Sequence, residues 1–234
     1  MALEISAQIY IWKFLIENSD QYGTTLSQMV TYILLVRLAS ILTSSTIARV
    51  LSNRIRDGSI ATDFVSPISM KGRWICADLG NNLFRVLVVL VPIAMICAIL
   101  WGIQPPASVA HGAGSIVSLS LGCMLAFEYS YILGLISFWL LRNPFYKWHF
   151  RNIEQIFAGT YFPLWFYPEW LEKITRFLPF RYFSYEATAV YLGKVPVPQI
   201  REVILMQILW IAVLLIVESM VWYGARRKVI VQGG

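Results

Sequence analysis

Apolar runs of membrane-spanning length alternate with short polar segments along most of this 234-residue chain. Four runs, at 26–50, 83–103, 115–141 and 203–223, reach the roughly 18–20 residues that a helix needs to cross about 30 Å of hydrocarbon. Each run carries few ionisable side chains, as is typical of a transmembrane helix. The pattern therefore predicts at least four membrane-spanning helices.

Two shorter apolar runs, at 3–16 and 153–167, bring the predicted spans to six. The first lacks the basic start and small-residue cleavage site of a signal peptide, so we expect a membrane helix without its first turns. The second contains Pro163, which predicts a marginal span or a broken helix. No repeat or long linker divides the chain. We expect one all-α, polytopic transmembrane domain over residues 1–234.

The composition supports a membrane protein and excludes other classes. Hydrophobic residues make up 58%, charged residues 14%, and the mean hydropathy is +0.63. Soluble domains carry about 25% charged residues, and disordered chains are less hydrophobic. The net charge of +6 is attributed to basic residues that flank spans, so no nucleic-acid partner is expected. The three cysteines have no metal-ligand spacing and are interpreted as small apolar residues, which predicts no metal site.

The distribution of lysine and arginine predicts the orientation. With the segment between the second and third spans in the cytoplasm, five basic residues lie outside, at positions 173, 176, 181, 194 and 201. Twelve lie inside, at positions 49, 54, 56, 71, 73, 85, 142, 147, 151, 226, 227 and 228. We therefore expect both termini on the cytoplasmic side of the cell (plasma or inner) membrane, and an aromatic-rich external cap at 168–200.

Motifs for catalysis are absent from the sequence. The chain has no Gly-rich phosphate loop ending in Lys-Ser or Lys-Thr, no His-Glu-x-x-His pair and no Gly-x-Ser-x-Gly elbow. We therefore expect no catalytic residue and no cofactor on this chain, and we do not expect it to hydrolyse ATP itself.

The cytoplasmic segment 54–68 predicts a short amphipathic helix. Gly58 ends the second span, Asp57 or Ser59 caps the new helix, and Pro67 stops it. The residues that we single out for contact with a partner are Arg54, Arg56, Asp57, Gly58, Ile60, Asp63, Phe64 and Pro67. Two interpretations remain open: a helix that rests on lipid headgroups, and a helix that enters a groove of a partner protein.

Two sets of residues resemble the permeases of type-2 ATP-binding-cassette (ABC) exporters. The first is Gly58-Ser59-Ile60 followed by Phe64-Val65-Ser66-Pro67-Ile68-Ser69. The second is more specific and comprises Gly159, Pro163-Leu164, Phe166-Tyr167-Pro168, Trp170-Leu171, Leu178-Pro179-Phe180 and Tyr191-Leu192-Gly193-Lys194. The resemblance covers nearly all of the chain from Leu26 onward. Ala187 stands where the family often has a proline, and the first span begins late by comparison.

The resemblance implies a six-span permease subunit that exports its substrate. It implies a dimer with a second permease, identical or similar, and a separate ABC ATPase that carries ATP and Mg and binds the segment 54–68. It also implies that 159–180 forms the fifth span and short external helices. Membrane lipid is the remaining expected partner.

Broken backbone next to aromatic residues indicates a candidate gate or cap. Its residues are Gly159, Pro163, Pro168, Trp170 and Pro179. Irregular backbone at membrane depth is tolerated only where it is buried in protein or lines a wet cavity. A plain interfacial anchor is the alternative interpretation.

Arg37 and Glu128 lie near the middle of the second and fourth spans, at similar depth. A charge at the bilayer centre costs roughly 2.5–3.5 kcal/mol or more, so it needs a partner or water. We expect the two to form an intramembrane pair or to face one cavity, unless each pairs elsewhere. Tyr129, Tyr131 and Trp139 are a candidate path for an amphipathic, drug-like or lipid-like compound, although helix packing is the alternative.

Two other functions stay open at this point. A stand-alone secondary transporter or channel-like protein would use Arg37 and Glu128 to handle ions. A membrane scaffold without transport activity is the third possibility. The resemblance over most of the chain favours the exporter permease.

Overall fold

The computed structural model describes residues 2–18, 24–60, 70–140 and 145–232, which are almost entirely helical. The long helices are α1 (Ala2–Glu17), α2 (Leu26–Leu42), α3 (Ile47–Arg56), α4 (Met70–Arg85), α5 (Val91–Trp101), α6 (Val109–Ile136), α7 (Phe145–Phe157) and α10 (Val197–Gln232). Between α7 and α10 lie the short helices α8 (Glu169–Arg176) and α9 (Tyr185–Tyr191), with 3₁₀ turns at Leu164–Phe166 and Pro179–Tyr182. The described residues contain no β-strand.

Four described segments are long and apolar enough to cross a membrane: Leu26–Arg56, Lys71–Trp101, Val109–Ile136 and Val197–Ala225. Only 11% of the most apolar window of Lys71–Trp101 and 22% of that of Val197–Ala225 is buried within the chain. Large apolar side chains therefore cover the outside of the bundle, which is favourable in lipid and unfavourable in water. The predicted fold class, an all-α polytopic membrane protein, is confirmed.

Helix α6 runs through the centre, and three glycines let a different element approach each part of it. A Cβ at Gly114 would lie 2.8 Å from Ile200 of α10. A Cβ at Gly122 would meet the backbone carbonyl of Phe183. A Cβ at Gly134 would lie 3.2 Å from the Cα of Ala48 in α3. Helix α6 therefore connects the two ends of the bundle. We call the end that carries α8 and α9 the cap end, and the end that carries α3 the α3 end.

The helix predicted over 26–50 is interrupted. Helix α2 ends at Leu42, and α3 is a separate amphipathic helix with Ile47, Leu51 and Ile55 buried. Arg49 and Arg56 lie on its exposed side. The apolar run in the sequence does not reveal the break, because Ser44, Ser45 and Thr46 are held by side chains from α4.

Other helix boundaries also differ from those predicted from the sequence. The helix predicted from 83 begins at Met70 and contains a π-helical turn at Val86–Leu90. Pro92 explains that turn, because proline has no N–H to donate and its ring clashes with the carbonyl four residues earlier. Helix α6 begins at Val109 instead of 115, where the Ser108 side chain accepts a hydrogen bond from the His111 N–H. Helix α7 ends at Phe157, and the chain then turns at Gly159, whose φ is +71°.

Candidate functional site

Helix α4 has three polar side chains directed into the bundle, whereas several of its apolar side chains lie outside. Lys71, Asp78 and Asn82 follow each other at helical spacing, and Asp78 and Asn82 are 7% and 3% exposed. Leu83 and Phe84, in contrast, are exposed. This arrangement is the reverse of a soluble amphipathic helix, and it directs the hydrogen-bonding groups of α4 at α2, α3, α6 and α10.

Asp78 and Asn82 hold the break between α2 and α3. The carboxylate of Asp78 accepts hydrogen bonds from the Ser45 hydroxyl at 2.5 Å, the Thr46 hydroxyl at 2.7 Å and the Thr46 N–H at 3.2 Å. The Asn82 amide donates to the Ser44 carbonyl at 2.6 Å and the Leu42 carbonyl at 3.2 Å. Helix α4 thus satisfies backbone groups that the interruption leaves without helical partners.

Lys71 joins three helices at one ammonium group. Its Nζ lies 2.7 Å from Glu128 Oε1 on α6 and 2.7 Å from Glu218 Oε2 on α10. The side chain of Glu128 is only 3% exposed, and those of Lys71 and Glu218 are 27% and 16% exposed. Lys71 Nζ also lies 5.4 Å from the centre of the Tyr131 ring. We call Lys71, Glu128 and Glu218 the charge triad.

A cavity of about 290 Å³ lies between the α2–α3 break, α4 and α6. Its lining includes the polar residues Asp78, Asn82 and Glu128 and the apolar residues Leu79 and Phe127. The charge triad therefore borders the cavity through Glu128.

The predicted Arg37–Glu128 pair is wrong, because each residue has other partners. Arg37 Nη2 donates to the Gln8 side chain at 3.1 Å, and Arg37 Nη1 lies 3.6 Å from Glu4 Oε2, both on α1. Glu128 is bound to Lys71, and Arg37 does not line the cavity that Glu128 borders. Arg37 therefore faces α1, whereas Glu128 faces α4.

Part of the predicted partner-binding segment is described, at the α3 end. Gly58 has a φ of +76°, which ends α3 as expected, and Ile60 is buried. The Asp57 carboxylate accepts two hydrogen bonds from Ser59, through its hydroxyl and its N–H, and they lower the pKa of Asp57. Arg54 lies over the Trp74 ring of α4 at 5.2 Å, and Arg56 is exposed. Asp63, Phe64 and Pro67 lie outside the described residues.

The predicted gate residues occupy the cap end. The Gly159 carbonyl accepts a 2.7 Å hydrogen bond from the Tyr32 hydroxyl, which fixes the turn after α7 to α2. Pro163 precedes the first 3₁₀ turn, and Pro168 precedes α8. Trp170 is 65% exposed, and Pro179 is buried. These positions form one irregular layer, but its role in gating stays a prediction.

A buried ion pair holds this cap together. Arg181 Nε donates to Glu186 Oε1 at 2.6 Å, and Arg181 Nη1 donates to the Thr175 hydroxyl at 3.1 Å. The guanidinium lies 5.2 Å from the Tyr185 ring centre. Gln207 of α10 donates to the Tyr182 carbonyl at 2.9 Å, which connects the cap to a long helix.

The three aromatic residues predicted to line a substrate path are not brought together. Tyr129 packs edge-on against Phe180 of the cap, with ring centres 5.3 Å apart. Tyr131 stacks near Phe127 and faces the charge triad. Trp139 lies at the α3 end, and a Cβ at Gly224 would be 3.1 Å from its ring. None of the three lines the cavity described above.

Sequence reasoning missed Lys71, Asp78, Asn82 and Glu218 as site residues. The first three were assigned to a cytoplasmic loop, because the apolar run begins only at 83. Their helical spacing was the available signal, since residues 71, 78 and 82 fall on one face of an α-helix. Glu218 lies near the end of the apolar run at 203–223, and nothing in the sequence connects it with Lys71, which is 147 residues earlier.

Comparison with known proteins identifies the family. No curated protein and no solved structure matches the chain. A family model described as "ABC-2 family transporter protein" matches residues 3–233. Proteins of this kind are the membrane component of ABC transporters and are not themselves catalytic, and membership implies association with an ABC ATPase. The chain, a helical integral membrane protein, belongs to the ABC-2 transporter family.

Proposed function

We propose that this chain is the permease subunit of an ATP-driven exporter and forms its transmembrane path with a second, identical or similar permease. A separate ATPase subunit supplies ATP and Mg and binds the segment 54–68. The observation that carries the proposal is the family match over residues 3–233. The orientation that follows has the α3 end and both termini in the cytoplasm and the cap outside.

The α3 end supports the location of the ATPase contact. Three basic residues of α3, Arg49, Arg54 and Arg56, lie there without an acidic residue in the same helix. The glycine turn at 58 directs the chain out of α3. A basic helix beside a turn suits a partner surface that carries acidic groups.

The cavity supports the substrate class. Asp78 and Glu128 line it together with apolar side chains such as Leu79 and Phe127. An amphipathic compound of drug-like or lipid-like character would contact polar and apolar groups there at the same time.

The test is co-purification with the ATPase encoded nearest to the gene, through an affinity tag on this chain in detergent. The ATPase should follow the wild type and should be lost from the Arg49→Glu/Arg56→Glu double variant, because the two exposed charges of α3 would then repel acidic groups of the partner. The matched control is Lys173→Glu, an exposed charge reversal in α8 at the cap end, which should retain the ATPase. A wild-type chain that purifies alone while both proteins are well expressed would instead favour the stand-alone secondary transporter or channel.

A further inference from the structure

We propose that Lys71 is a positioning residue that carries movement of the ATPase-facing segment into the membrane, because it holds α6 and α10 through the charge triad. The inference rests on the proposed function and names the regulation of the same interface. It assigns a role to a residue that does not line the cavity.

The first argument is the position of Lys71 in the chain. Lys71 lies in the first turn of α4, directly after the segment 54–68 that we assign to the ATPase. Arg54, in α3, lies over the Trp74 ring of α4 at 5.2 Å, so the two flanks of that segment contact each other. A displacement of the segment therefore moves the start of α4.

The second argument is what Lys71 contacts. Glu128 and Glu218 belong to α6 and α10, the two longest described helices, and both carboxylates lie 2.7 Å from the same Nζ. Glu128 is almost fully buried. Removal of one partner from a buried charge pair leaves an uncompensated charge, which is strongly unfavourable. When α4 moves, the carboxylates must therefore follow Lys71 or find another partner.

The third argument is that the triad has two satisfiable arrangements. Two carboxylates share one ammonium group, so Lys71 can hold both or keep Glu128 and release the more exposed Glu218. The four-carbon stem of lysine allows this exchange. An element with two discrete arrangements is what a coupling mechanism needs, since a partner shifts an equilibrium only by binding one state better. Release of Glu218 removes the polar connection that Lys71 makes between α10 and α6.

A native cysteine provides a probe of this movement. Cys123 lines the cavity together with Glu128 and is partly exposed. In a Cys76→Ser/Cys97→Ser background, the rate at which N-ethylmaleimide labels Cys123 is measured in the permease–ATPase complex. The measurement is made without nucleotide and with MgATP plus vanadate. The variants are Lys71→Met, Lys71→Arg and the charge exchange Lys71→Glu/Glu218→Lys, and ATPase retention is recorded for each.

We expect nucleotide to change the labelling rate in the wild type. The ratio of the two rates should fall to unity in Lys71→Met, while the ATPase is still retained. Lys71→Arg and the charge exchange should restore the nucleotide response. The discriminating readout is this response in complexes that still hold the ATPase, since a loss of packing alone would lower the amount of complex.

The outcomes separate the inference from the proposed function. Loss of the ATPase from the wild-type complex contradicts the proposed function. If the ATPase is retained, either of two results overturns the inference alone. One is a wild-type nucleotide response in Lys71→Met, and the other is the absence of a nucleotide response at Cys123 in the wild type. If Lys71→Met does not fold, the charge exchange decides, because a folded exchange variant without a nucleotide response overturns the inference.

Discussion

The backbone carbonyl of Phe183 occupies the space that a β-carbon on Gly122 would need. The Tyr182 carbonyl lies 3.0 Å from the same position and also accepts a hydrogen bond from Gln207. The cap therefore contacts α6 through backbone, which has no rotamer that would let it move aside. This contact attaches the cap tightly to α6 at Gly122.

Gly122→Ala should destabilise the protein strongly. Insertion of a methyl group into a filled contact costs about 1–3 kcal/mol, and a backbone obstacle places the cost at the upper end or beyond. Gly80→Ala is the matched control, because a Cβ there meets nothing within 4 Å. Thermal unfolding in detergent, followed by tryptophan fluorescence, should show a lower Tm for Gly122→Ala and an unchanged or higher Tm for Gly80→Ala. Equal Tm values would contradict the packing described here.

Asp78→Ala should loosen the start of α3. The substitution leaves the hydroxyls of Ser45 and Thr46 and the Thr46 N–H without their acceptor. Each buried unsatisfied group costs about 1–3 kcal/mol. Hydrogen exchange of the amides at 46–50 should accelerate, and the Tm should fall. Asp57→Ala is the control, since its bonds to the neighbouring Ser59 are exposed, and it should leave the exchange at 46–50 unchanged.

Two double-mutant cycles distinguish the charge triad from the pair expected from sequence. Lys71→Ala with Glu218→Ala should show a coupling free energy of about 0.5–3 kcal/mol, as contacting charges do. Arg37→Ala with Glu128→Ala should be additive within about 0.5 kcal/mol, because the residues have separate partners. Unfolding in mixed detergent and dodecyl sulfate micelles supplies the free energies. The opposite result, coupling in the second cycle alone, would reinstate the Arg37–Glu128 pair.

Arg181→Lys should destabilise the cap although the substitution keeps the positive charge. One ammonium group cannot reproduce the bonds that Nε and Nη1 make to Glu186 and Thr175, and the loss of a buried bond to a charged group is worth about 1.5–3 kcal/mol. Arg176→Lys is a matched control in the same cap, because the Arg176 side chain is 62% exposed and pairs with Glu172 on the surface. Limited proteolysis of the 168–193 region should accelerate in the first variant and stay as in the wild type in the second.

The sequence predicted the features that depend on local chemistry. Apolar runs identified the membrane-spanning character, and Gly58 was correctly predicted to end the helix before it. The break at 43–46 could not be predicted locally, because it depends on Asp78, more than 30 residues further along the chain. In an apolar neighbourhood, serine and threonine are compatible with a continuous helix, since their hydroxyls bond to the preceding turn.

The charge triad was missed for a related reason. Hydropathy averages over all faces of a helix, so the polar side of α4 made residues 70–82 resemble a loop. The neighbours of a side chain in a membrane helix depend on its depth in the membrane and also on the rotation of the helix about its axis. The sequence shows that Arg37 and Glu128 both lie within apolar runs, but it does not show which neighbours each side chain faces.

The spacing of the three glycines determines both where along α6 the other elements make contact and at which angle around its axis. Gly114, Gly122 and Gly134 are eight and twelve residues apart, and each α-helical residue turns the chain by about 100°. Consequently, α10, the cap and α3 contact α6 from three different directions around its axis. Deletion of one residue between Gly122 and Gly134 would turn one end against the other by about 100° and shorten the axis by only about 1.5 Å. Helix length and hydropathy would hardly change, yet the cap and the α3 end would no longer have their present relative orientation.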